Sequence, residues 1–227
     1  MKNIIDAVAT LVERNDFNLT ASRNRNNRAN SRGDALEIYA KNLFADTFDI
    51  PETERLGKWS EIFSYCGNNA NPPDFMYTVG VVSGNKLKHL CIIYGQDYCA
   101  SDECYARIRK QIKEGIETIP LVSFAPTREL GRVNCVDPLG ITYLRIRGMW
   151  HIENPWRVFD YVYERNFNAE FNFMCVINSE KWHRLENRDK LIDLQKNYPA
   201  LKIVDVKIKN PDNPCKLRDA KLIRYEN

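Results

Sequence analysis

The sequence predicts an α/β (α+β) fold, a mixed central sheet flanked by helices, in a single domain spanning residues 1–227. Three observations predict it. Helical periodicity and strand-like apolar runs alternate along the chain instead of segregating into blocks. Lys88 to Tyr94 (Lys-His-Leu-Cys-Ile-Ile-Tyr) is apolar almost throughout, which suits a strand covered on both faces. A length of 227 residues, 44% hydrophobic and 28% charged, is ordinary for a globular chain and long enough for a substantial core.

Each element follows from its own pattern. Residues 3–13 place Ile4, Ile5, Val8, Leu11 and Val12 on one helical face. Residues 20–33 read as a flexible basic arm or loop. Four arginines (Arg23, Arg25, Arg28 and Arg32) lie there among asparagines, with no acid between Ser22 and Arg32 and no apolar residue larger than alanine. Arg and Asn suit phosphates and base edges, making DNA or RNA a candidate partner; a solvated linker with incidental charge is the equal alternative. A helix resumes at Gly33–Phe44, its stripe formed by Leu36, Tyr39, Ala40, Leu43 and Phe44. Glu37 and Lys41 stand four apart, the spacing of an exposed helical ion pair. Pro51 closes this region, and Trp59–Tyr65 suggests a short further element.

Asn71-Pro72-Pro73-Asp74 then sets a Pro-Asp at the mouth of a strand, and Gly84 and Gly95 bound the strand Lys88–Tyr94. Ser101 caps a helix with Tyr105, Ile108 and Ile112 inward, and Ile119–Phe124 is strand-like. In the strand Ile141–Arg147, Leu144 and Ile146 point one way while Tyr143, Arg145 and Arg147 point the other. An aromatic between two arginines suits a phosphate backbone or a base; a solvated sheet face is the alternative. Asn154-Pro155 reads as N-cap and N1 of a helix carrying Trp156, Phe159, Tyr161 and Tyr163. Phe171–Ile177 is a strand, Ser179 caps a helix running toward Asn197, and Leu201–Lys209 is a strand with Val204, Val206 and Ile208 inward.

Bulk properties exclude several classes. The net charge of +3 is too small to name a partner. Seven scattered cysteines argue for reduced thiols, and Cys99 and Cys104, the one close pair, lack the second pair that zinc requires. No window approaches eighteen apolar residues and the first residues lack a signal-peptide core, so a cytoplasmic protein away from membranes is expected. The sequence offers no nucleophilic triad and no phosphate-binding glycine loop, and His89, His151 and His183 are isolated.

Asp74 is the candidate catalytic carboxylate. Alone, a Pro-Asp is a common turn pair. Phosphodiester hydrolysis needs a divalent ion to neutralise charge and acidify the attacking water, and Mg²⁺ takes carboxylate oxygens as ligands. Two carboxylates and a lysine on adjacent strands would supply such a site, the lysine orienting the water.

Several motifs together carry more weight. They are Gly33-Asp34-Ala35-Leu36-Glu37, Asn71-Pro72-Pro73-Asp74, Tyr94-Gly95 with Tyr98-Cys99-Ala100-Ser101, and the long run from Glu129-Leu130-Gly131-Arg132-Val133-Asn134 through Asp137-Pro138-Leu139-Gly140 to Gly148-Met149-Trp150. In order and over nearly the whole chain, these resemble the NgoPII-type restriction endonucleases of the PD-(D/E)XK nuclease superfamily. The resemblance implies a homodimeric, Mg²⁺-dependent type II enzyme cutting double-stranded DNA at a short palindrome, expected to be GGCC. It implies a cognate DNA methyltransferase that does not bind stably. It also implies that Asp74 is a metal ligand, with Glu37 an accessory carboxylate.

The chain departs from that pattern at one place. The family carries an acid-x-Lys motif after the Pro-Asp strand; here Met76 runs directly into Tyr77-Thr78-Val79-Gly80. An internal deletion of the second carboxylate and the lysine is the expectation, with impaired catalysis. Asp205-Val206-Lys207 and Asp219-Ala220-Lys221 have the acid-x-Lys spelling, and Asp205 with Lys207 is the candidate rescue. The alternatives are a non-catalytic DNA-binding remnant and a poorly folding gene fragment.

Overall fold

Five strands build one mixed sheet, and packing elements cover both of its faces. The computed structural model describes residues 2–20, 28–62, 76–99, 141–145, 149–152 and 154–227, with the single positions 101, 103, 106 and 110. In chain order the elements are α1 (Ile4–Arg14), α2 (Arg28–Ala45), α3 (Glu52–Ser60), β1 (Met76–Ser83), β2 (Lys86–Tyr94) and α4 (Gly95–Tyr98). There follow β3 (Ile141–Arg145), β4 (Met149–Ile152), α5 (Pro155–Val158), β5 (Asn172–Asn178), α6 (Ser179–Arg184), α7 (Asp189–Asn197), β6 (Leu201–Asn210) and β7 (Asn213–Glu226). The sheet order is β1-β2-β5-β7-β6. Strands β2 and β5 run parallel and the other neighbours antiparallel, while β3 and β4 form a separate two-stranded sheet.

Strand alternation splits the core in two. Phe173, Cys175 and Ile177 of β5 pack with Leu90 and Ile92 of β2 against α1, Tyr39 and Leu43 of α2, and Leu191 of α7. Met174 and Val176 point the other way, toward Cys91, Ile93, Trp156, Phe159 and Tyr163. Strand β5, between β2 and β7, is buried along all but its last residue, as a centre strand covered on both faces must be. Helix α1 is fixed at its start by a reciprocal cap: Asn3 Oδ1 accepts from Ile5 N at 2.8 Å, and Asp6 Oδ2 accepts from Asn3 N at 3.0 Å.

At the β1 edge the helix layer comes very close. A Cβ on Gly80 would lie 2.9 Å from a methyl of Leu87 and 3.0 Å from both methyls of Leu36. Gly80→Val should cost roughly 1–3 kcal/mol by overpacking. Urea denaturation checks it: an unchanged midpoint would mean that α2 and β1 are not tightly docked.

Several boundaries differ from the pattern-based expectation. The arm expected over 20–33 is helical from Arg28, because Arg and Ala are strong helix formers and Gly33 costs only about 1 kcal/mol inside an 18-residue helix docked through its apolar stripe. Pro51 opens rather than closes an element, preceding α3. The helix expected after Asn154 is one turn long; Asn154 Oδ1 does accept from Trp156 N at 3.0 Å, but the aromatic and β-branched run Phe159–Tyr163 leaves the helix. The long helix expected from Ser179 divides into α6 and α7, with Asn178 rather than Ser179 as the capping side chain. The expected helix after Ser101 lies largely, and the strand Ile119–Phe124 wholly, outside the described residues.

Strand β7, fourteen residues long, was not expected at all. Its repeated charges mask the alternation, because part of one face meets ion-paired β6 side chains instead of the core. Val204, expected inward on β6, is 40% exposed, since β6 is the sheet's other edge. Cys91 and Cys175, within strands, are buried free thiols packed as small apolar residues, and Cys99 is buried beside β2.

Candidate functional site

Of the residues singled out by sequence, Arg28, Arg32 and Glu37 lie on α2, beside the β1 edge. Arg32, Gly33 and Leu36 of α2 face Gly80, Val81 and Val82 of β1 across an open cleft of about 360 Å³. Its floor is apolar and Arg32, exposed at the cleft, supplies its positive charge. Arg28 belongs to the same helix, one turn earlier; Arg23 and Arg25 lie outside the described residues.

Glu37 stands on the exposed side of α2. Its Oε1 meets Lys41 Nζ at 2.5 Å, and that ammonium lies 5.5 Å above the Trp59 ring. Trp59 is held in turn, donating from Nε1 to Thr47 Oγ1 at 2.9 Å, and Thr47 donates to Asn42 Oδ1 at 2.7 Å. Such an exposed pair is weakly held, roughly 0.3–0.5 kcal/mol, so Glu37 remains available to a stronger partner.

Asp74 lies outside the described residues; β1 begins two residues after it, at Met76. Among the described residues, no group of three or more His, Cys, Asp or Glu side chains is placed to hold a metal ion. Mg²⁺ is typically held by one or two carboxylates with waters and substrate oxygens around it, and Glu37 offers one carboxylate already paired with a lysine. The described residues do not by themselves fit the ion.

The candidate rescue pair is placed elsewhere. Asp205 accepts from Lys221 Nζ at 2.6 Å and Lys207 donates to Asp219 at 2.7 Å. These are register partners, so the two acid-x-Lys spellings zip to each other across β6 and β7. Strand β6 is four strand spacings from β1, roughly 19 Å at the usual spacing. Tyr143 and Arg145 lie on β3, paired with His151 and Met149 of β4, while Arg147 lies outside the described residues.

One polar centre went unnoticed in the sequence. Asp97, fully buried just past β2, accepts from Asn178 Nδ2 at 2.7 Å, Asn178 N at 3.2 Å and Arg218 Nη2 at 3.0 Å. Arg218 also donates to Gln96 O at 2.7 Å. Burial pushes the Asp97 carboxyl above its ordinary pKa, against the opposing pull of Arg218 and Asn178. Asn178 caps α6 through Lys181 N at 2.8 Å, so this hub ties the carboxyl ends of the two parallel strands to the helices that follow them. The available signal was an Asp three residues past the apolar run at 90–94.

Relatives fit this arrangement. The family model described as NgoPII restriction endonuclease matches residues 2–77 and again 74–209, so its two segments meet at the start of β1. A curated relative, the type II restriction enzyme NgoPII of Neisseria gonorrhoeae, is 45% identical over 277 residues, covering 98% of this chain and 99% of the relative. Those 277 positions exceed the 227 residues of this chain by about fifty. No solved structure matches. On a family model that spans most of its length and a relative aligned almost end to end, the chain belongs to the NgoPII restriction endonuclease family.

Proposed function

We propose that this chain is a type II restriction endonuclease by descent that retains DNA recognition, with GGCC as its target, and has lost efficient cleavage. One observation carries the reading: the family match breaks at residues 74–77, where the chain passes from Pro-Asp directly into β1, and about fifty positions of the relative have no counterpart. Asp74 and Glu37 are the ancestral Mg²⁺ carboxylates in this reading. The acid-x-Lys that should accompany them is missing, and Asp205 and Lys207 are engaged with Lys221 and Asp219 on the far edge of the sheet. The protein acts as a single-domain homodimer on double-stranded DNA in the cytoplasm, alongside a DNA methyltransferase of the same specificity. No helix among the described residues is long and apolar enough to cross a membrane.

What the chain's own residues do is bind. Arg28 and Arg32 share the first turns of α2, and a helix N-terminus adds backbone N–H groups that favour phosphate. Arg23, Arg25, Tyr143, Arg145 and Arg147 complete the proposed contact set.

The test uses purified protein, Mg²⁺ and linear DNA with and without GGCC. Binding to the GGCC duplex is expected to weaken linearly in log salt, with no specific double-strand cutting. Specific cutting that Asp74→Ala abolishes would overturn the loss of catalysis. Binding indifferent to salt and to Arg32→Ala would remove the DNA reading, and a non-cooperative thermal transition would favour the poorly folded fragment.

A further inference from the structure

On the opposite face of the sheet from α2, a short loop holds an aromatic ring out in solvent. Phe167 is 72% exposed, yet the loop beneath it is pinned. Asn172, fully buried at the start of β5, accepts at Oδ1 from Asn166 N at 2.9 Å and from the Tyr163 hydroxyl at 3.2 Å, and donates from Nδ2 to Asn166 O at 2.9 Å. Asn166 Oδ1 accepts from Asn168 N at 3.0 Å, and Ala169 N donates to Asn166 O at 3.2 Å. A buried amide commits three hydrogen bonds to fixing this turn, which presents Phe167 in a set position.

The surroundings are cationic and aromatic. Arg165 places its guanidinium 5.0 Å from the Phe167 ring centre and 5.3 Å from that of Trp156. His89 stands edge-on to both rings, at 5.9 Å from Phe167 and 5.8 Å from Trp156. Burial, then Arg165 and Lys88, lower the His89 pKa, so the imidazole is neutral at pH 7. Glu170, the carboxylate at the loop's end, pairs with Lys86. Among the described residues Arg165 has no ion-pair partner, while Lys88 donates to Glu170 O at 3.4 Å and acts on the Glu170 carboxylate beside Lys86. Two buried donor-capable atoms, Trp156 Nε1 and His89 Nδ1, have no hydrogen-bond partner.

A rigidly held exposed ring, flanked by an arginine without an ion-pair partner and backed by further rings, matches the way duplex DNA is gripped: a flat face for a sugar, cations for the adjoining phosphates. A protein partner would favour a wider apolar surface, and along the loop from Glu164 the exposed residues beside Phe167 are Glu164, Asn166, Asn168 and Glu170, the last neutralised by Lys86. We infer that Phe167 and Arg165, with Lys88, form a second DNA-contact surface separate from α2, in which Phe167 packs on a backbone sugar and Arg165 and Lys88 take phosphates. This rests on the DNA-binding reading proposed above.

The experiment measures fluorescence anisotropy of labelled 20-base-pair duplexes, with and without GGCC, on the full chain and on Phe167→Ala, Phe167→Trp and Arg165→Gln across a salt series. Phe167→Ala is expected to weaken binding by about tenfold, the size of one lost buried apolar contact, and Phe167→Trp to restore it. Arg165→Gln should lower the salt slope by about one. Thermal unfolding should be little changed in Phe167→Ala, since the ring is exposed. A Phe167→Ala protein that binds both duplexes as the parent does would overturn this surface while leaving the DNA reading intact. A parent that binds neither duplex would end both. Unaltered DNA affinity with a changed sedimentation coefficient would reassign the loop to a protein interface.

Discussion

Phe173→Ala is expected to remove about 3–5 kcal/mol of stability, enough to leave a marginal fold largely unfolded near body temperature. Phe173 is fully buried on β5, aligned with Leu90 of β2 on one side and Tyr225 of β7 on the other. Its ring fills the layer between the sheet and α1. Truncation loses the transfer free energy of the ring and leaves a cavity that the centre strand of a sheet cannot collapse to fill. At roughly 2–4 °C per kcal/mol for a chain of this size, the unfolding midpoint should fall by about 6–20 °C. Val204→Ala on the half-open β6 edge is the matched control, expected to cost under about 1 kcal/mol. A Phe173→Ala protein within 1 kcal/mol of the parent would mean that the β2–β5–β7 core is not packed as described.

The second large effect belongs to Asp97. Asp97→Ala leaves Arg218 and both donors of Asn178 facing a site without its acceptor, and should cost about 2–4 kcal/mol. Asp97→Asn keeps the shape and gives the pH dependence. Because burial raises the folded carboxyl pKa, the folded state holds this proton more tightly than the unfolded chain does. The stability from the protonated form is therefore complete below the unfolded value, about 4, and is lost as pH rises through the folded value. The parent's stability relative to Asp97→Asn should accordingly fall as pH rises from about 4 through the raised folded value, by urea titration at several pH values. A parent that gains on Asp97→Asn over that interval would show that Arg218 and Asn178 outweigh burial at this site.

How far these effects were legible depends on range. The alternation of Leu90, Cys91, Ile92 and Ile93 announces a two-sided strand wherever it sits, because covering both faces demands apolar residues at every position. The stripe of α1 and that of α2 were equally plain. Strand β7 was not, because Asp219 and Lys221 are satisfied by Lys207 and Asp205 on another strand, a pairing that no local window contains. The same holds for Asp97, whose partners Asn178 and Arg218 lie 81 and 121 residues away.

The candidate site divides the same way. Glu37 beside Lys41 could be read from a four-residue spacing, and the structure keeps that pair intact on the surface of α2. That Arg32 faces a cleft against β1 depended on how the helix lies on the sheet. That Asp205 and Lys207 stand on the sheet's far edge, zipped to β7, depended on strand order, which spelling does not encode.

The sequence by itself determined the α/β class, the faces of the first two helices, the doubly covered strand and membership of a restriction endonuclease family, since these rest on local periodicity and on long runs of shared residues. Only the tertiary structure decided the strand order β1-β2-β5-β7-β6, the buried Asp97 hub and the pinned loop that holds Phe167 in water. The strand order and the hub are fixed by contacts between residues far apart in the chain, and the loop by a buried amide six residues away whose role only burial reveals; in each, burial and hydrogen-bond satisfaction set the outcome.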